Sequence, residues 1–252
     1  MFSFITNWWH DRIVKQSQIT DTQWTDAFAR LPLLDRLTET ERKRLRRLAI
    51  LFLHKKAIHG AHGLVVTDEM ALAIALQACL LILYLDIHWF DGWVEIIVYP
   101  GGYAATRNLT DEAGVVHQVS NAMLGEAWQR GPVILSWQAT ASAGDLDGEN
   151  LVLHEFAHKL DMLTGSANGF PPIHKNMDVD QWTDTFTAAF ADFQAKAAAG
   201  IDIGINTYGA SDPAEFIAVL SEEFFERPQV IHSRYPQVYD LLRQFYRQDP
   251  MV

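Results

Sequence analysis

A single cysteine, Cys79, stands in 252 residues, so no disulfide can close within the chain and no thiolate cluster can hold a metal. It reads as a small core residue. Basic residues are also scarce: 20 Lys and Arg against 31 Asp and Glu leave a net charge of −11. That balance excludes a broad phosphate-binding or anionic-membrane surface, which needs clustered cations, and no direct nucleic-acid partner is expected. The one basic run, Arg42-Lys43-Arg44 with Arg46-Arg47, follows a Thr38-x-x-Glu41 capping box and interleaves with Leu45, Leu48, Leu51 and Phe52. It reads as the solvated face of an amphipathic helix. Long apolar runs are missing too. The longest, Met70 to Leu85, is shorter than about 18 residues and is bounded by Asp68, Glu69 and Asp86, so it is a buried helix rather than a membrane span. Residues 1–10 carry no basic leader, no sustained apolar stretch and no small-residue cleavage site, so no export signal is expected and cytoplasmic residence is the default.

What the chain does have is core: 49% hydrophobic and 12% aromatic residues, enough for one domain over 1–252 with a helical N-terminal portion at 1–60 and the remainder at 61–252. The N-terminal Trp8 and Trp9 read as packing anchors. Expected helices run from Leu37 to about Lys56, over Met70 to Leu85, from Trp182 to Ala199 with Phe186, Phe190 and Phe193 as core, from Asp212 to about Glu226, and from Tyr235 to Phe245. Strands are expected at Trp93–Tyr99, which ends in Pro100-Gly101-Gly102, and at Val133–Trp137 after Gly131-Pro132. Between them, the alternation over Val115, Val116, His117, Gln118 and Val119 suits an antiparallel hairpin. The expected class is α+β, mostly helical, with a small mixed or antiparallel sheet packed against the helix described next.

That helix runs through Asn150 to Thr164 and contains His154-Glu155-x-x-His158. Residues four apart share a helix face, so two imidazoles converge on one metal ion with Glu155 beside it, the pattern of zinc peptidases. Asn150 is a good N-cap, Thr164-Gly165 a stop, and Leu151, Val152, Leu153, Phe156, Ala157, Leu160, Met162 and Leu163 cover the flanks. Two imidazoles and a glutamate buried together without a shared partner would be costly.

A catalytic zinc takes three protein ligands and leaves one position open. The extended motif with a third histidine needs Gly at 161 and His at 164, where this chain has Asp161 and Thr164. The candidates that remain are Glu215, Glu222 and Glu223 on the later helix. Glu215 is equally accounted for as the fourth residue of an Asp212-Pro213-Ala214-Glu215 capping box. Glu222, seven residues on, shares its face; Asp161 and His174 are weaker candidates, and Asp161 better suits a role in orienting an imidazole or the helix. Strand 133–137, just before the helix, is a place where an extended peptide could add at an edge.

The segment Leu151-Val152-x-His154-Glu155-x-Ala157-His158-Lys159-Leu160-Asp161, with Tyr208-x-Ala210-Ser211-Asp212-Pro213-Ala214-Glu215 and Ala218-Val219-Leu220-Ser221-Glu222, resembles the Mlc titration factor A family of bacterial zinc-dependent peptidases. The likeness extends to Trp89-Phe90-Asp91-Gly92, Gly131-Pro132-Val133 and Gln244-Phe245-Tyr246-x-Gln248-Asp249-Pro250. It implies a zincin-like fold and a gluzincin-type site, similar in architecture to the anthrax lethal factor catalytic domain. By that resemblance His154, His158 and Glu215 hold one Zn2+ per chain, Glu155 is general base, and Tyr208 donates a hydrogen bond in the transition state. In such a site the metal acidifies a water, Glu155 takes its proton and Tyr208 faces the oxyanion. Two classes of function follow from the resemblance. One is a peptidase, aminopeptidase-like, acting on a peptide or protein. The other is a binding protein that sequesters the glucose repressor Mlc and so affects sugar uptake.

Overall fold

The computed structural model describes residues 2–110, 116–123, 125–128 and 131–252, the backbone only at 2–5, 103–110 and 116–123. The chain order is α1 (Phe2–Lys15), α2 (Asp21–Ala29), α3 (Glu39–Lys55), β1 (Ala57–Gly60), α4 (Asp68–Leu81), β2 (Glu95–Tyr99), β3 (Tyr103–Thr110), β4 (Val116–Met123), β5 (Gly125–Ala127), β6 (Val133–Ser136), α5 (Trp137–Ser142), α6 (Leu151–Asp161), α7 (Val179–Ala198), α8 (Pro213–Glu226), α9 (Pro228–Arg234) and α10 (Pro236–Tyr246). The architecture is α+β and mostly helical. Capping chemistry sets several helix starts. Thr38 and Glu41 form the expected box at α3, Asn150 Oδ1 accepts from Leu153 N at 3.0 Å to open α6, and Asp212 with Pro213 opens α8.

The sheet order is β1-β2-β6-β5. β1 and β2, like β2 and β6, pair in parallel, and β5 pairs antiparallel with β6, Gly125 opposite Leu135. The sheet is therefore mixed, and the parallel β1–β2 pair is joined by the α4 crossover. Alternate residues Ile96, Val98, Val133 and Leu135 are fully buried on one face. β3 and β4 form a separate antiparallel hairpin, Tyr103 opposite Met123. This agrees with the expected hairpin, except that Val115 lies outside the described residues.

α6 runs through the centre of the core, with every residue from Val152 to Asp161 buried. Phe156 meets Phe52, Phe90 and Trp93 with ring centres 5.6, 5.2 and 5.7 Å apart, which ties α6 to α3 and to the entry of β2. Cys79 is fully buried in α4. Among the described residues no helix is long and apolar enough to cross a membrane.

Several expectations change. Trp8 and Trp9 are not core anchors: they are more than half exposed and stack on each other 5.9 Å apart. The basic run on α3 keeps a solvated face, with Lys43 and Arg44 exposed, but its arginines also reach neighbouring elements. Arg42 donates to the carbonyls of Leu34 and Leu37, Arg44 to that of Leu83, and Arg46 and Arg47 pair with Asp21 and Asp11. These side chains fasten α3 to its neighbours through stems and charge together. β1 and α9 add a strand and a helix that periodicity did not reveal, because four and seven residues are too short to carry a period. β6 is not an edge: β2 covers one side and β5 the other, so among the described residues the sheet's edges are β1 and β5, and β5 is the one beside α6.

Replacing Phe156 with alanine is expected to destabilise the protein by about 3–5 kcal/mol, since the cavity would open where three aromatic rings meet. Urea unfolding measures it.

Candidate metal centre

Helix geometry places His154 and His158 one turn apart on α6, and both imidazoles turn toward α8. Asp212 caps α8 through Ala214 N at 2.8 Å and Glu215 N at 3.0 Å. The Glu215 side chain does not return to the cap. Its Oε2 lies 3.0 Å from His154 Nε2 and 3.3 Å from His158 Nε2, and the two nitrogens are 3.2 Å apart. These three groups are the set among the described residues whose ligating atoms could hold a metal ion.

The hydrogen-bond pattern says which atoms carry lone pairs. His154 Nδ1 lies 2.8 Å from Glu222 Oε1, and an ionised carboxylate only accepts, so Nδ1 carries the hydrogen. In the neutral ring Nε2 then points a lone pair at a second imidazole nitrogen and a carboxylate oxygen. Three such atoms gathered in a buried place require a proton or a cation between them. Burial disfavours a charged His154, yet its bonds to Glu215 and Glu222 hold its pKa well above the ordinary value. Burial works the other way on Glu215, and the two imidazoles overcome it, holding its carboxylate well below the usual range.

Glu155 is 4% exposed, and its Oε2 has no hydrogen-bond partner among the described residues. Burial pushes its pKa up to about 7 against the pull of both imidazoles. That is the range in which a carboxylate can both take and give a proton near neutrality. Tyr208 sits on a short 3-10 turn, Thr207–Ala210, that Asn206 caps through Tyr208 N at 3.0 Å. Its ring centre is 6.1 Å from that of His154. Partial burial and the Glu215 carboxylate push the phenol up to about 12, so it keeps its proton and can donate. All five side chains line one cavity of about 770 Å³.

A family model described as glucose-regulated metallo-peptidase M90 matches residues 5–247. The chain belongs to this family. It is 40% identical over 249 residues to a Mlc titration factor A of Salmonella typhi, covering 96% of this chain and 92% of that one. Proteins of the same name from Serratia proteamaculans and Yersinia enterocolitica are 40% and 39% identical, over 92% and 91% of this chain and 89% and 86% of theirs. Membership of a metallopeptidase family implies a metal, and among the described residues of this M90 chain the His154, His158 and Glu215 cluster is the place that could hold it.

The other candidates lie elsewhere. Glu222 stands behind His154, and its second oxygen accepts from Asn150 N at the start of α6. Its position two turns after Glu215 marked it in the sequence as an alternative third ligand, whereas it bonds the far nitrogen of His154 instead. Glu223 pairs with Arg227. His174 Nε2 donates to Phe245 O at 2.8 Å, with its ring stacked on Phe245. Asp161 Oδ2 takes Asn168 N at 2.8 Å and Gly169 N at 2.7 Å, so it organises the loop after α6. Gly169 has φ +80°, and a Cβ there would meet the Pro213 carbonyl, so the loop abuts the start of α8 only because glycine occupies that position. Sequence reasoning missed Gly125: a Cβ on it would overlap Glu155 Oε1 and Leu151 Cδ1. It also missed the buried bonds from Asn150 Nδ2 to Gln77 and Glu226, both 2.8 Å.

Replacing the buried Asp161 with alanine strands two loop amides and is expected to cost about 2 kcal/mol of stability, as for bonds to a charged acceptor. Thermal unfolding measures the loss.

Proposed function

We propose that this protein is a zinc-dependent peptidase, a single zincin-like domain over 1–252, with His154, His158 and Glu215 as ligands of one Zn2+. The observation that carries this reading is the spacing of the three lone-pair atoms, 3.0, 3.2 and 3.3 Å. Ligands at about 2.0–2.1 Å in a tetrahedron stand about 3.3–3.4 Å from one another, so the set fits a small four-coordinate cation with little movement. Two nitrogens and one carboxylate oxygen are also ligand types zinc accepts at hydrolytic sites.

When bound, zinc supplies a Lewis acid that lowers the pKa of water and polarises a carbonyl. The chain's own residues do the rest. Glu155 takes a proton from the attacking water at its unpartnered Oε2 and later delivers it to the leaving amine, which its pKa near 7 allows. Tyr208 keeps its hydroxyl proton and donates it as a hydrogen bond toward the developing oxyanion. Glu222 fixes the tautomer and tilt of His154. The outer side of β5 lines the cleft through Gly125, Glu126 and Ala127 and offers backbone groups to an extended peptide.

An aminopeptidase-like preference belongs to the same proposal. The described residues lining the cleft include Asp147, Glu149 and Asp212 and no Lys or Arg, an acidic lining suited to a free α-ammonium group. The relatives' name, Mlc titration factor A, supports Mlc as a protein partner. Association without catalysis is the second reading, and that name favours it.

Glu155→Gln is expected to retain stoichiometric metal by elemental analysis while hydrolysis of amino-acyl p-nitroanilides falls by roughly 10²–10⁴-fold. Retained turnover would reject the mechanism, and capture of Mlc that persists in this inactive variant would assign that interaction to binding alone. Glu215→Ala is expected to lower metal content per chain; unchanged stoichiometric metal would move the third ligand elsewhere.

A further inference from the structure

Lys159 follows the second histidine and is 2% exposed, yet among the described residues no carboxylate pairs with it. Its ammonium donates to the carbonyls of Trp128 and Gly131, the latter at 2.9 Å, and lies 4.7 Å from the centre of the Trp93 ring. A second buried lysine, Lys56, lies 3.5 Å from the centre of the same ring and donates to the carbonyls of Phe90 and Trp93. Burying two ammonium groups at one indole is costly, and the carbonyls and the ring face are what offset it. The two lysines hold different pieces of chain. Lys56 holds the turn that enters β2, whereas Lys159 holds both ends of the connection from β5 to β6.

β5 needs such an anchor. It has three residues, pairs only with β6 among the described strands, and is too short to keep its place through its own ladder. Its position matters to the site, because Gly125 packs directly on the Glu155 carboxylate. We propose that Lys159 is a positioning residue: it fixes edge strand β5 against α6, so that an extended peptide laid along that edge meets Glu155 in register. The proposal rests on the peptidase reading above and names the residue that sets its substrate-binding strand.

The test compares Lys159→Met with Lys56→Met, a matched control that removes an equally buried ammonium from the same indole without touching β5. Backbone amide exchange at Gly125–Ala127 is expected to accelerate about tenfold in Lys159→Met and to stay at the wild-type rate in Lys56→Met. The KM for an unblocked hexapeptide is expected to rise about tenfold in Lys159→Met, while kcat/KM for a single-residue p-nitroanilide, which does not reach along the strand, changes less than about twofold. A milder variant, Lys159→Gln, keeps a donating amide group without the charge and is expected to fall between in both measurements. Unchanged exchange in both Lys159 variants, equal acceleration in the Lys56 control, or equal loss on the two substrates each overturns the proposal. If wild type hydrolyses neither substrate the peptidase reading fails, and with it the role in substrate register, whereas the exchange data separately decide whether Lys159 holds the strand.

Discussion

One face of α8 carries Glu215, Glu222 and Glu226, spaced by seven and four residues, and this row of carboxylates holds helix α6 in place. Glu215 meets both imidazoles of α6, and Glu222 meets His154 Nδ1 and Asn150 N. Glu226 takes Gly144 N and Gly148 N, each at 3.0 Å, and Asn150 Nδ2 at 2.8 Å. A buried carboxylate is expensive unless its oxygens are satisfied, so the row constrains α6 in rotation and in translation along its axis. A turn's slip of either helix would leave several charges unpaired at once.

The remaining cleft geometry follows from that docking. α6 is held from behind by Phe156 among three aromatic rings and from the side by α8, so its histidines stand on a rigid element. Tyr208 approaches from the turn before α8, and Gly209 in that turn would place a Cβ 3.3 Å from Val219, one of the helix's own core residues. β5 closes the opposite wall through Gly125. The cleft is thus lined from two sides by pieces with little regular structure of their own, each fixed to a helix by a few polar contacts or by the absence of a side chain.

Legibility varied with the range of the interaction. The pairing of His154 with His158, the caps at Thr38, Asn150 and Asp212, and the core phenylalanines of α7 depend on residues within a turn or two, and the sequence pattern was sufficient for them. The choice for Glu215 between cap and cluster was not local: both geometries satisfy the same four residues, and only the nearness of α6 decides between them. Strand 133–136 read as an edge because nothing in its residues reveals a three-residue neighbour, and Trp8 with Trp9 read as buried because hydrophobicity alone does not say what will cover it. The basic face of α3 read as solvated throughout because its acceptors, Leu34, Leu83, Asp11 and Asp21, lie on other elements.

By itself, the sequence determined that an HExxH pair would share one helix face, that this helix would be buried, and that two carboxylates two turns apart would share a face of a later helix. Each of these is a consequence of 3.6 residues per turn and of local capping. Tertiary structure alone decided that Glu215 joins the imidazoles while Glu222 stands behind His154, that β5 rather than β6 borders the cleft, and that Lys159 turns to the carbonyls of Trp128 and Gly131. These depend on which elements come to lie within about 3 Å of one another, a distance set by core packing between segments dozens of residues apart, which no local periodicity encodes.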